Sequence, residues 1–422
     1  MKDVLHRVTD ASLSSLAQGL TGSEVLKIAR EVRAVIDSGR AVANLTVGDF
    51  SPAEFRIPKP LEELIVAKLR GGQTNYPPSE GTMEMRKSVV AFFKERLGLE
   101  YGTDSVLIAG GSRPIIYAAY QAVVDRGDKV IYPTPSWNNN HYTYLAGGEP
   151  IELVVGADTN FMPTAEMIRP HAREARLIAV CTPLNPTGTV MARSEVEAIG
   201  RLVVEENDRR AASGERPLYL LWDQVYWMLT FGDNEHVSPP QVVPESAAYT
   251  IFVDGISKAL AATGVRVGWT VAPPAVTQRM SDIIGHIGAW APKAEQLAVA
   301  QFLTQADDIA AFHEQMIREL RLRLDALYDG FTAMKKEGLP VDAIEPQGAI
   351  YLSVQFNLLG RLKTNEAIRK FLLDEAGFAV VPFQAFGLKR EDGWFRLSAG
   401  AVSVQDCLDG VKRVREALLQ LG

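Results

Sequence analysis

Val253-Asp254-Gly255-Ile256-Ser257-Lys258-Ala259-Leu260-Ala261-Ala262-Thr263-Gly264-Val265-Arg266-Val267-Gly268-Trp269 is the stretch from which the rest of the chain can be read. It opens where the apolar run Tyr249 to Val253 ends. Such a run, rich in β-branched and aromatic residues, reads as a buried strand. A single lysine follows among small residues, and Arg266 stands eight positions beyond it. Burial among Ser, Ala and Leu disfavours the ammonium form of Lys258 and frees its amine as a nucleophile toward carbonyl carbon.

Working outward, Ser105–Ala109, Lys129–Tyr132, Ile151–Val155, Leu177–Cys181 and Leu218–Trp222 are further strand candidates, with helices between several of them. Ser194 and Glu197, in Ser-x-x-Glu spacing, predict a capping box on one such helix. Strands alternating with helices predict a mostly parallel sheet covered on both faces. Pro58–Arg70 and Met83–Leu97 read as helices ahead of that pattern. So do residues 1 to about 40, where Val25, Ile28, Val32 and Ile36 fall near helical spacing. From about residue 310 the texture changes to a long amphipathic helix, short strands around Ala349–Val354 and Phe395–Leu397, and a closing helix from Val404. The predicted organisation is a large α/β domain over 48–300. A smaller α+β domain is built from 1–47 with 310–422.

Composition narrows the function. The 422 residues are 47% hydrophobic and 23% charged, with a net charge of −7. That balance is ordinary for a globular enzyme and lacks the basic excess of a general nucleic-acid binder. Two distant cysteines, Cys181 and Cys407, support neither a disulfide framework nor a zinc site and fit a reducing compartment. No apolar run reaches the roughly 20 residues of a membrane span, and no signal-type apolar core follows the N-terminal charges. The expectation is a cytoplasmic protein with no membrane and no nucleic-acid partner.

In open α/β sheets ligands bind beyond the carboxyl ends of the strands. After Ser105–Ala109 comes Gly110-Gly111-Ser112-Arg113, a glycine turn opening a helix. After Leu177–Cys181 comes Thr182-Pro183-Leu184-Asn185-Pro186-Thr187-Gly188. Asp223-Gln224-Val225-Tyr226 follows Leu218–Trp222, and Lys258 follows Tyr249–Val253. A phosphate cradle, an amide, a carboxylate with a phenol and a nucleophilic lysine thus arrive at one edge. Together they are what pyridoxal phosphate requires.

With that order of motifs the chain resembles the aspartate-aminotransferase-like family of pyridoxal-phosphate enzymes, class I/II, fold type I. Asn185-Pro186-Thr187-Gly188, Asp223-x-x-Tyr226, Ser257-Lys258 with Arg266-Val267-Gly268, and Arg396-Leu397-Ser398 carry the resemblance, which runs from about Ala43 to Ala401. It implies a mostly parallel seven-stranded sheet between helices, with a smaller α+β domain. It makes Lys258 the Schiff-base lysine and proton carrier, Asp223 the partner of the pyridine nitrogen, and Asn185 and Tyr226 the pair on the ring's 3′-oxygen. Gly111, Ser112, Arg113, Ser257 and Arg266 become the phosphate cup and Trp137 the ring-stacking aromatic. Gly48 borders the substrate, and Arg396 grips its α-carboxylate. Tyr76 matches a tyrosine that reaches the phosphate in a neighbouring subunit, which implies a homodimer with shared active sites.

The sequence departs from the family in places. Gly255 stands where many members carry a hydroxyl. Gln224 replaces an acidic residue, a change expected to matter little. Ser112 stands where acid-specific relatives place a lysine, and Arg113 beside it is expected to point elsewhere. Trp290 makes a bulky wall where relatives have small hydroxyl residues. These departures predict an aminotransferase with a neutral, aromatic or larger amino donor, a 2-oxo acid acceptor and a ping-pong mechanism. The fold equally hosts C–S β-lyases, so a lyase is the alternative. A non-catalytic pyridoxal-phosphate sensor is a lesser one, and the incomplete Gly-x-Gly-x-x-Gly spacing at Gly110 argues against a dinucleotide site.

Overall fold

The structure, a computed structural model, describes residues 9–421. The helical expectation for residues 1–8 and the reading of the N-terminal charges lie outside them. Among the described residues there are thirteen strands: β1 (Ala43–Asn44), β2 (Val106–Ala109), β3 (Lys129–Thr134), β4 (Glu149–Val154), β5 (Ala175–Cys181), β6 (Tyr219–Asp223), β7 (Thr250–Gly255), β8 (Gly268–Val271), β9 (Val341–Ala343), β10 (Tyr351–Phe356), β11 (Phe378–Ala379), β12 (Val381–Pro382) and β13 (Trp394–Ser398).

Seven of them form the central sheet, in the order β2-β8-β7-β6-β5-β3-β4. All pairings are parallel except those of β8, which runs antiparallel to both β2 and β7. β8 is the strand that the sequence pattern misses. It is four residues long and follows β7 after a loop, with no helical crossover to announce it. Along β5 and β7 nearly every side chain is buried, on both faces. Helices covering both sides of a parallel sheet demand such unbroken apolar runs. The helices Ser112–Val123 and Pro274–Ile287 pack together, and Lys293–Phe302 packs against Lys59–Arg70 and Met83–Leu97.

The helix boundaries have local causes. The Thr82 hydroxyl accepts the Met85 N–H, and Gly98, left-handed at φ 67°, closes the same helix. The Ser194–Glu197 capping box is not formed. The helix Arg193–Ser213 starts behind Ala192 with no side-chain cap, so Ser194 lies inside its first turn, and Glu197 pairs with Arg201 at 2.6 Å. Capping boxes form elsewhere, between Ser238 and Gln241 and, ahead of the closing helix, between Ser403 and Asp406.

A second, antiparallel sheet has the order β12-β13-β10-β9, flanked by the 31-residue helix Ala306–Lys336 and the closing helix Val404–Leu421. The N-terminal part joins this half of the molecule. β1 pairs in parallel with β11, and Glu31 of the helix Glu24–Asp37 meets the buried Arg369 at 2.7 Å. Both cysteines are free and buried. Among the described residues no helix is long and apolar enough to cross a membrane, and no cluster of His, Cys, Asp and Glu could hold a metal ion.

Candidate active site

Strand register builds the site. Cys181, Asp223 and Val253 stand in one row across β5, β6 and β7, while Ala109, Gly268 and Gly255 form a second row across β2, β8 and β7. The residues that follow these rows therefore converge on one edge. They line a cavity of about 570 Å³, closed from the other side by Gly48, Tyr351 and Arg396.

Lys258 lies in the one-turn helix Ile256–Ala259 directly after β7. Its Nζ donates to the Gly48 carbonyl at 2.7 Å. Burial lowers its ammonium from the ordinary lysine range to about 8, opposed by Asp49 and reinforced by Arg396, Arg113 and Arg266. A free amine at neutral pH is thereby within reach.

Asp223, at the end of β6, accepts the Val225 N–H at 3.2 Å, and the Cys181 thiol stands beside it. Burial pushes its carboxyl up to about 7, and it has no ion-pair partner among the described residues. Asn185 is buried and its Oδ1 accepts from Arg396 Nη1 at 3.2 Å, which leaves Nδ2 as the amide's free donor. The Tyr226 hydroxyl meets the Tyr351 hydroxyl at 2.7 Å. Trp137 lines the same cavity, with the Arg113 guanidinium 5.2 Å above its ring. Arg113 thus stands in the cavity, where the phosphate role expected for it requires it.

The second row makes a cup. Gly111, at φ 93°, precedes the helix Ser112–Val123, whose first turn has no side-chain cap. A Cβ at Gly111 would collide with the guanidinium of Arg266. Arg266 is fixed by bonds to the carbonyls of Gly110 (2.8 Å) and Thr263 (2.5 Å). Ser112, Ser257, Arg113 and Arg266 all line the cavity, and neither serine hydroxyl has a partner among the described residues. Burial, and after it the nearby charge of Arg113, pull the pKa of Arg266 below the ordinary arginine value, with Asp49 opposing them. At Gly255 no hydroxyl-bearing residue fits. A Cβ there would stand 2.8 Å from Gly268 Cα and 2.9 Å from the Val267 carbonyl.

Arg396 comes from β13 and is almost fully buried. Nη2 donates to the Thr46 carbonyl at 2.6 Å, while Nε has no partner. The rings of Tyr351 and Phe386 each lie 4.8 Å from its Cζ. A buried, oriented guanidinium with a vacant donor suits a carboxylate.

Of the residues expected from sequence, Gly48, Ser112, Arg113, Trp137, Asn185, Asp223, Tyr226, Ser257, Lys258, Arg266 and Arg396 line this cavity, and Gly111 abuts it through Arg266. Tyr76 does not. It is 81% exposed and lies edge-on to Trp290 at 5.3 Å. The sequence reading missed Tyr351, Cys181, Asp49, and the apolar wall of Val25, Leu26, Ala29 and Ile116. Asp49 accepts from Thr263 Oγ1 at 2.6 Å and so ties the loop after Gly48 to the cup. Cys181 was legible as the strand-end neighbour of Asp223. Tyr351 had no local signal. Gln224, expected to matter little, is fully buried, between Asp254 Oδ2 (3.4 Å) and His236 Nε2 (3.3 Å).

These groups fit pyridoxal phosphate. The cup offers two guanidiniums, two unpartnered hydroxyls and an uncapped helix N-terminus to a phosphate dianion. The buried Asp223 carboxyl lacks the cation that a protonated ring nitrogen supplies.

Comparison with known proteins agrees. Residues 40–414 match the family described as aminotransferase class I and II. The chain is 30% identical to an aspartate aminotransferase of Streptomyces avermitilis over 97% of each chain. It superposes on the solved aspartate aminotransferase of Thermus thermophilus with maleate at a TM-score of 0.85, with 27% identity over 96% of this chain and 99% of that one. The aromatic aminotransferase of Pyrococcus horikoshii OT3 gives a TM-score of 0.81, with 25% identity over 92% of this chain and 99% of the other. The chain therefore belongs to the aminotransferase class I and II family, as a fold type I, pyridoxal-phosphate-dependent transaminase of amino acids and 2-oxo acids.

Proposed function

We propose that the chain moves the amino group of a large neutral or aromatic L-amino acid to a 2-oxo acid such as 2-oxoglutarate or pyruvate, by a ping-pong mechanism. The wall of the cavity carries this reading. Val25, Leu26, Ala29, Ile116 and Trp137 line it, and the position after the paired glycines holds Ser112 instead of a lysine. An apolar wall favours burial of an apolar side chain, at about 25 cal/mol per Å² removed from water.

Bound pyridoxal phosphate supplies an electron sink for the pair left when the substrate's α-proton departs. In this reading Arg396 holds the substrate α-carboxylate beside Gly48. Lys258 takes the α-proton at Nζ and returns it to the other end of the shifted system. Asp223, ionised once a cation faces it, keeps a proton on the ring nitrogen. Asn185 Nδ2 and the Tyr226 hydroxyl donate to the ring's 3′-oxygen. Ser112, Arg113, Ser257, Arg266 and the amides after Gly111 hold the phosphate, and Trp137 covers the ring.

The same reading divides the chain into a large domain, 48–300, and a smaller one of 1–47 with 310–422, supported by the pairing of β1 with β11. It makes the protein a cytoplasmic homodimer in which the exposed Tyr76 reaches its partner's phosphate cup.

A second reading, an acidic donor, has one observation in its favour. Arg113 has no ion pair among the described residues, and its guanidinium stands in the cavity. The Streptomyces avermitilis and Thermus thermophilus relatives are named aspartate aminotransferases. Ranking kcat/KM for phenylalanine, tyrosine, leucine, aspartate and glutamate separates the two. The proposal expects the neutral donors to lead, and a wide lead for aspartate refutes it.

A further inference from the structure

Tyr351 occupies the junction of three parts of the site, and nothing said so far gives it a task. It opens β10 opposite Ser398 of β13, and its side chain is 1% exposed. Its hydroxyl lies 2.7 Å from that of Tyr226. Its ring stands 4.8 Å from Arg396 Cζ. A Cβ added at Gly48 would come 3.0 Å from the Tyr351 hydroxyl and 3.3 Å from Arg396 Nη1. Gly48 in turn supplies the carbonyl on which Lys258 rests.

The hydroxyl pair has a required polarity. If the Tyr226 O–H donates into the cavity, its oxygen remains as the acceptor. Tyr351 must then donate to it. A donor to the Tyr226 oxygen polarises that O–H and strengthens the bond it makes in turn. The ring does a separate task, as an aromatic face against a guanidinium that holds two hydrogen bonds among the described residues.

We propose that Tyr351 is a positioning residue, its ring seating Arg396 against the substrate carboxylate while its hydroxyl donates to Tyr226 and so tunes the contact with the cofactor's 3′-oxygen. This rests on the roles given above to Tyr226 and Arg396. The titratable and charged groups facing Tyr351 are Arg396 on its own sheet, Tyr226 beyond β6, Cys181 at the end of β5 and Asp49 on the loop after Gly48. A tyrosine serving only as core filling would be replaced silently by phenylalanine, which keeps the ring and its packing.

Two variants of the holoenzyme test the two tasks. The first readout is the pH titration of the visible absorbance of the bound cofactor, independent of turnover. A weaker donor at the 3′-oxygen stabilises its negative charge less, so Tyr351→Phe shifts the midpoint upward, by about half a pH unit to one unit. Its KM for donor and acceptor stays near the wild-type value. Tyr351→Leu removes the ring as well and raises KM for both substrates about three- to tenfold, because both carry the carboxylate that Arg396 grips. A Tyr351→Phe midpoint equal to that of the wild type overturns the hydroxyl's role, and an unchanged KM in Tyr351→Leu overturns the ring's. A wild-type band that does not titrate at all overturns the reading of the site and the proposal with it.

Discussion

Lys258 is the residue on which the chemistry turns, and its surroundings set when it can act. Burial places its ammonium near 8, while the Gly48 carbonyl accepts from it. Below that value the amine is protonated and cannot attack an aldehyde, and above it the free amine dominates. Loading of the apoprotein with pyridoxal phosphate should therefore accelerate with rising pH through a midpoint near 8, two units or more below an ordinary lysine, as followed by absorbance. Lys258→Ala should lose turnover entirely yet still retain the cofactor non-covalently through the cup. Among the residues, Lys258, Asp223 and Asn185 were legible because each comes within five positions of the end of an apolar run that reads as a strand. Tyr351 was not, since it is 125 residues from Tyr226 and only the tertiary fold brings the two hydroxyls together.

Among the elements, the ends of β2, β7 and β8 matter most, because three backbones meet there with no room between them. A Cβ at Gly268 would fall 2.6 Å from the Gly111 carbonyl carbon, and one at Gly255 would fall 2.8 Å from Gly268 Cα. Backbone cannot yield as a flexible side chain does. Gly255→Ala is expected to destabilise the fold by about 1–3 kcal/mol and to weaken cofactor retention, read as a lower Tm in both apo and holo protein. An unchanged Tm would show that the cup has slack. The same crowding explains why the expected phosphate-binding hydroxyl is missing at Gly255, a departure that the sequence displayed without its reason. The apolar runs within β5 and β7, Leu177–Cys181 and Ile251–Val253, were plain from pattern alone. β8 was hidden because it returns antiparallel with no helical crossover to set it off from the loop before it, and the Ser194 capping box failed because Ser-x-x-Glu spacing does not by itself place the helix start.

Across the whole molecule, the parallel order of the central sheet was legible from alternation, while the antiparallel insertion of β8 and the return of the N-terminal segment to β11 depend on contacts far apart in sequence. The assembly adds one more test. Tyr76 is exposed on the single chain and rests on Trp290, outside the cavity of its own subunit. If it completes a partner's cup, the protein sediments as a dimer, and Tyr76→Ala leaves the dimer intact while raising the cofactor's Kd about tenfold through loss of one charge-assisted hydrogen bond. A monomer in solution would contradict the shared site. The central claim, that this cavity holds pyridoxal phosphate and exchanges its amino group, is tested most directly by recording the absorbance spectrum of the holoprotein while amino acids are added singly. The visible band of the lysine-bound cofactor should give way to the band of its aminated form, most readily with large neutral donors, and a 2-oxo acid should restore it. The absence of a cofactor band, or a band that no amino acid moves, would contradict it.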